Sequence, residues 1–202
     1  DQIFDFNNIP GWKWGEPKYY SNVAEWGNND VKKYGSYLNN KLQQSSWSHF
    51  TDTSIDGDYV MCVSHYSRQV WQQLQEKVHN NVRYTVTVNA GMNQWANPAP
   101  NGANHYVRIQ LAIFNDAVGD LNNITVLKEE CIPLTAEDKG VFNQKQLIYD
   151  APALSPHFGK QMIITLSGYQ ESDPLPGNAI IKWTDQNYFF DMLQITRQKI
   201  SQ

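Results

Sequence analysis

Aromatic and amide side chains dominate the chemistry available to this sequence. Seven Trp and eleven Tyr stand beside 20 Asn and 17 Gln. Flat rings stack on the C–H faces of sugars and other ring ligands, while amides bond hydroxyl groups. Trp95 is the sharpest candidate, because Met92-Asn93-Gln94-Trp95-Ala96-Asn97-Pro98 reads as a loop after a strand. An exposed Trp there has no evident structural task. Trp12, Trp14, Trp47 and Tyr66 are further contenders, whereas Trp71 and Trp183 read as core. The histidines, His49, His65, His79, His105 and His157, show no metal-ligand spacing. By alternation His65 falls on the side of Tyr59 and Met61, where it could line a binding face as a hydrogen-bonding contact. Glu129-Glu130 and Asp173 are available acids, but no paired-carboxylate arrangement is legible.

These residues belong to a chain of 202 residues, long enough for one hydrophobic core without staples. The net charge of −4 comes from 16 basic and 20 acidic residues with no dense basic block, which disfavours nucleic acid as a partner. No run of apolar residues is long enough for a membrane span, and no leader stands before Asp1. The expectation is a secreted or periplasmic protein whose leader has been removed. Cys62 and Cys131 permit one disulfide, but Cys62 lies in an apolar run where a buried free thiol is the commoner outcome.

Strand signals position the candidates. Arg83-Tyr84-Thr85-Val86-Thr87-Val88-Asn89 alternates strictly, and residues 106–113 repeat the pattern with Val107, Ile109, Leu111 and Ile113 inward. Further strands are expected at 59–65, 69–75, 124–128, 145–149, 161–167, 179–183 and 187–196, separated by turn residues such as Asp56-Gly57 and Asn80-Asn81. Residues 69–78 also contain helix formers, and residues 30–42 fit a short helix or a long loop. The lack of helices alternating with strands argues against parallel βαβ architecture. Nine or ten short strands indicate a single all-β domain over 1–202, an antiparallel β-sandwich of jelly-roll type. Residues 1–55 are expected as long aromatic-rich loops packed on one face.

The order of motifs also carries a resemblance. Ile3-Phe4-Asp5 and Ile9-Pro10-Gly11-Trp12 open the chain. Gly57-Asp58-Tyr59-Val60-Met61, Val70-Trp71-Gln72-Gln73-Leu74 and the stretch Val82 to Gly91 follow. Asn187-Tyr188-Phe189-Phe190-Asp191-Met192-Leu193-Gln194-Ile195 stands near the end. This series resembles the carbohydrate-binding-module-like jelly rolls of the xylan- and glucan-binding type. The Stig cyclases, secreted cyanobacterial proteins that cyclise indole-isonitrile terpenoids, share the same skeleton.

The resemblance implies a structural calcium held by Asp5 and Asp191, with Asp58 as a third contributor; from spacing alone Asp191 is a solvated strand-end acid. The leading expectation is a non-catalytic, lectin-like carbohydrate-binding module. It would recognise a glycan through Trp95, with Trp12, Trp14, Trp47, His65 and Tyr66 contributing. The alternative is a Stig-type cyclase that folds a terpenoid in an apolar pocket and protonates it. In those cyclases the proton donor stands two residues before the final Asp, a position held here by Phe189. Asp191 would then have to serve as the acid. A partner-binding adhesion module is a third class that the aromatic face would suit.

Overall fold

The structure is a computed structural model that describes residues 13–15, 34–38, 59–64, 69–92, 105–117, 123–170 and 187–200. Ten strands form two five-stranded sheets. The first sheet has the order β1 (Lys13–Gly15), β4 (Gln69–Lys77), β9 (Gln161–Gln170), β6 (His105–Phe114), β7 (Ile124–Leu134). The second has the order β2 (Tyr34–Leu38), β3 (Tyr59–Ser64), β10 (Asn187–Lys199), β5 (Val82–Met92), β8 (Asn143–Ala151). Every strand pairing is antiparallel. The expected all-β sandwich is therefore the fold.

Alternation builds the core. On β5 the inward Tyr84, Val86, Val88 and Ala90 are buried, while Arg83, Thr85 and Thr87 face away. Across the sandwich they meet Val107, Ile109, Leu111 and Ile113 of β6 and Ile164 and Leu166 of β9. Residues 69–77 are a strand and not a helix: period two places Val70 and Leu74 on the core side, with Trp71 on the opposite face. Two expectations for the first 55 residues change. Tyr34–Leu38, read as part of a helix or loop, is a strand paired with β3, and Lys13–Gly15 pairs with β4. The strand expected at 179–183 lies outside the described residues.

Two local devices lock the sheets together. At Gly168 on β9 a Cβ would lie 2.0 Å from Cδ2 of Tyr188 on β10, so the tyrosine ring occupies the space that any side chain would need. Tyr188 Oη also lies 3.1 Å from His105 Nδ1 on β6, both residues being buried. The second device sits in the crossover from β7 to β8, which passes from one sheet to the other. There Asp138, in a short 3-10 turn, accepts from Thr135 N–H at 2.7 Å, Asn143 Nδ2 at 3.0 Å and Lys145 Nζ at 2.6 Å. Gly140, at φ 68, donates its N–H to Met92 O and so ties this crossover to the end of β5.

Burial pushes the Asp138 carboxyl up, but Lys145, the Thr135 N–H and Asn143 together hold it below the ordinary 3.8. A carboxylate depressed in the folded state stabilises fully above its ordinary value and loses that contribution as the pH falls through the depressed one. Lys145→Met leaves a buried charge without its cation and is expected to cost about 3 kcal/mol at neutral pH. Urea unfolding at neutral and acid pH should show the deficit shrinking as Asp138 takes up a proton. Gly168→Ala is expected to cost about 3 kcal/mol through the clash with Tyr188, measured as a fall in thermal midpoint.

Candidate ligand-binding site

Strand β10 places the residues that the sequence singled out. Tyr188 and Phe190 point into the core, so Phe189 and Asp191 share the opposite face. In backbone register Phe189 lies between Cys62 of β3 and Gly91 of β5. Gly91 supplies no side chain, so no β5 side chain stands directly opposite the Phe189 ring. Phe189 is 0% exposed although it faces away from the inter-sheet core, so this end of the sheet face is enclosed.

One step along, Asp191 is half-buried and paired with Asn89. The register then shifts between Asp191 and Gln194, and Met192 adopts the left-handed φ of 51. A side chain other than glycine pays for that conformation in sterics, and bulges of this kind re-aim the residues beside them. Asn89 Nδ2 lies 3.3 Å from the Met192 sulfur, which holds the bulge against β5. Beyond it the face opens to solvent and turns polar, with Gln144, Gln146 and the bidentate Arg83–Asp150 pair at 2.7 Å.

The outer face of the other sheet carries a second enclosure. Register aligns Trp71, Thr165, Gln110 and Glu129 in one row across β4, β9, β6 and β7. The row spans roughly 14 Å at the usual strand spacing. Thr165 Oγ1 donates to Gln110 Oε1 at 2.8 Å, and Gln110 Nε2 donates to Glu129 Oε2. Arg108 Nε donates to Ser167 Oγ at 3.2 Å in the next row. Thr165 and Ser167 are each 1% exposed, far below what an outer sheet face open to water would show. Trp71 closes the row with its ring edge-on to Phe114, centroids 5.2 Å apart and planes at 80°, over Ala112 and Ile163. Rings beside directed amide, hydroxyl and carboxylate groups suit a small ligand with one flat apolar part and one polar part.

The expected site residues divide sharply. Asp191 stands on β10 as described, and Trp14 falls on β1 with Val70 as its backbone partner. Asp5, Asp58, Trp12, Trp47, Trp95, His65 and Tyr66 lie outside the described residues. Among the described residues no group of three His, Cys, Asp or Glu side chains gathers as metal ligands. Met61, which alternation places on one side with His65, packs against the inter-sheet core. Trp71 is buried as expected, but in a cluster apart from the inter-sheet core. Cys62 and Cys131 belong to different sheets, and the Cys131 thiol lies 3.7 Å from Glu129 Oε1. Gln110, Thr165 and Ser167 were not singled out by the sequence, because they continue the polar, outward half of the alternation on β6 and β9.

The fold is thus a jelly-roll sandwich whose outer faces carry one buried apolar stretch, at Phe189, and one aromatic–amide row, from Trp71 to Gln110. The sequence matches the model of the HpiC1-like family, described as HpiC1 cyclase, over residues 1–196, and the chain belongs to that family. Among solved structures, it is similar to the Stig cyclase Fisc from Fischerella sp. TAU in complex with (3Z)-3-(1-methyl-2-pyrrolidinylidene)-3H-indole. The two share 17% identity over 100% of this chain and 90% of that one, with a TM-score of 0.65. A cyclase from Fischerella sp. TAU in complex with 4-(1H-indol-3-yl)butan-2-one matches at 16% identity over 97% and 89% of the chains, with a TM-score of 0.60. A carbohydrate-binding module with its xylanase domain from Clostridium thermocellum, complexed with xylohexaose, follows at 14% identity and a TM-score of 0.47, covering 98% of this chain and 28% of that one. No curated protein matches the sequence.

The row from Trp71 to Glu129 makes a direct prediction. Gln110→Leu removes the bridge between Thr165 and Glu129 and strands the Thr165 hydroxyl, at an expected cost of about 1–3 kcal/mol. Urea unfolding of Gln110→Leu against Gln110→Leu/Thr165→Val checks the origin, because removing the stranded hydroxyl should recover part of the loss.

Proposed function

We propose that the protein is a cyclase of the Stig type, folding a terpenoid-bearing, indole-type substrate in an apolar enclosure and starting ring closure with a proton from a carboxyl, the cyclised cation then losing a proton to give an isomer of the substrate. Family membership over residues 1–196 supports this reading ahead of the carbohydrate-binding module. The observation that carries it locally is the shared face of Phe189 and Asp191. Phe189 stands where the resembled cyclases keep their proton donor, and it is buried without a proton to give. Asp191 lies two residues on, about 7 Å along the same face. Closing an apolar substrate over a half-buried carboxyl strips it of water and favours its protonated form. General acid catalysis of this kind contributes on the order of 10²–10⁴-fold.

The same carboxylate is the one the resemblance gives to calcium. A calcium ion joining Asp191 to Asp5 and Asp58 is a separate structural proposal, in which Asp191 is the ligand lying among the described residues. Its role would be to fasten the last strand to the start of the chain. Coordination and proton donation exclude one another at a single carboxyl, so one experiment separates them.

The protein is incubated with an indole-isonitrile terpenoid, and products of unchanged mass are separated by chromatography and mass spectrometry. The expected result is cyclised isomer from the native chain, a loss of roughly 100-fold or more in Asp191→Asn, and turnover that survives chelation. If chelator and Asp191→Asn both lower the melting temperature and abolish turnover together, Asp191 holds metal and is not the acid. Glycan binding without turnover of any such substrate would return the protein to the module reading.

A further inference from the structure

At the end of the sandwich away from Phe189, three segments are stitched into one platform. Asn81 donates its N–H to Pro152 O at 3.1 Å, and Ser155 N–H reaches Asn80 Oδ1 at 2.9 Å. Gly159 N–H bonds Val78 O at 2.8 Å and Val78 N–H bonds Lys160 O at 2.9 Å. The last described residue joins the same platform, with Ile200 N–H on Asn81 O at 3.0 Å and Asn81 Nδ2 on Ile200 O at 2.8 Å. Two reverse turns over residues 152–160 are thereby held fast at both ends, with Gly159 at φ 77 completing the second.

What this rigid loop displays is apolar. Leu154 is 87% exposed and Phe158 60% exposed, the two most exposed large hydrophobics among the described residues. Phe158 stands edge-to-face with the His79 ring, centroids 6.3 Å apart. Single exposed apolar residues need no explanation, but two on one anchored turn make a defined projection.

The charge around the projection opposes that of the whole chain. Lys77, Lys160 and Lys199 are exposed at this end, and none pairs with a carboxylate among the described residues. The acids nearby are already held: Glu76 by Arg197 at 2.7 Å, with His79 at 3.3 Å, and Asp150 by Arg83 at 2.7 Å. A chain of net charge −4 thus presents a basic collar around two apolar tips.

We propose that this end of the molecule is a membrane-docking surface that inserts Leu154 and Phe158 between the headgroups of an anionic lipid bilayer. Lys77, Lys160 and Lys199 hold it there by charge. A stable protein interface needs about 800 Å² from each partner, and two side chains on a projecting turn fall well short of that. A bilayer surface asks less: a few apolar side chains at the acyl boundary and several basic groups at the headgroups give reversible attachment. The docking is peripheral, since no helix among the described residues is long and apolar enough to cross a membrane. It is also independent of the cyclase reading, because none of these residues belongs to the candidate site.

The test is sedimentation of the full chain with vesicles of phosphatidylcholine alone and of phosphatidylcholine mixed equally with phosphatidylserine. The protein is expected to sediment with the mixed vesicles and to be released by salt. Leu154→Ser/Phe158→Ser should weaken binding at least about tenfold, and each Lys→Gln change about fivefold. The melting temperature of the double variant should stay close to that of the native chain, since both side chains are mostly in water. The proposal fails if the native chain ignores the mixed vesicles or if the double variant binds them equally well. It also fails if light scattering shows a native dimer that the double variant abolishes, which would make the surface a contact between copies.

Discussion

The contact on which the rest of the molecule depends is the tyrosine ring laid across a glycine. Tyr188 fills the space above Gly168, where a Cβ would come within 2.0 Å, and its hydroxyl meets His105. One residue of β10 therefore engages two strands of the opposite sheet, β9 and β6. Because the contact is steric, it sets the distance between the sheets at that point as well as the register of β10. Strand alternation then assigns the next residues their faces: with Tyr188 inward, Phe189 is outward, Phe190 inward and Asp191 outward. A slip by one residue would put a carboxylate into the apolar core and drop the tyrosine out of it. The position of the candidate acid is thus a consequence of core packing one turn of the pleat away.

Much of the fold was legible because local pattern and tertiary demand agree. Val82–Met92 and His105–Phe114 extend the alternating runs at 83–89 and 106–113 by a few residues at most, and both strands lie inside their sheets. Agreement fails where pairing and not composition decides. Ile124–Leu134 runs far beyond the expected 124–128 and includes Pro133. Proline cannot donate to a ladder, yet β7 lies at the edge of its sheet, where one side of the strand has no ladder to serve. Residues 34–38 read as loop or helix because Tyr-Gly-Ser-Tyr-Leu has little alternation of its own; their pairing with β3 makes them a strand.

The site was legible only where its chemistry lies along one strand. Phe189 and Asp191 could be related from the sequence because both sit on β10 and period two is a local rule. The row from Trp71 through Thr165 and Gln110 to Glu129 could not, because its members come from four strands. Their alignment follows from registers established over separations of dozens of residues, and a shift of one residue in any ladder would dissolve it. The burial of Thr165 and Ser167 is equally non-local. On their strand they read as the solvent-facing half of an alternating pattern, and only enclosure of the outer face makes them polar groups that must be bonded.

The same periodicity bears on the proposal that Asp191 serves as the acid while an apolar ring stands at Phe189. A donor moved from one strand position to the next would swing to the other side of the sheet, into the core. Moved by two, it stays on its face and changes only its distance along the strand. Asp191 stands in that relation to Phe189, and the ladder shifts directly beyond it. The left-handed backbone at Met192 and the contact of its sulfur with Asn89 let the strand bend there without disturbing Tyr188 or Phe190 behind it. A strand in regular register would aim a carboxyl at Asp191 straight out from the sheet; a bulge beginning at that residue gives its direction a freedom that regular pairing denies. The apolar ring at Phe189 meanwhile adds wall to the enclosure at the spot where a carboxylate would have demanded solvation. On the proposed reading the acid and the wall are two uses of one face, and the bulge is what allows them to be separate residues.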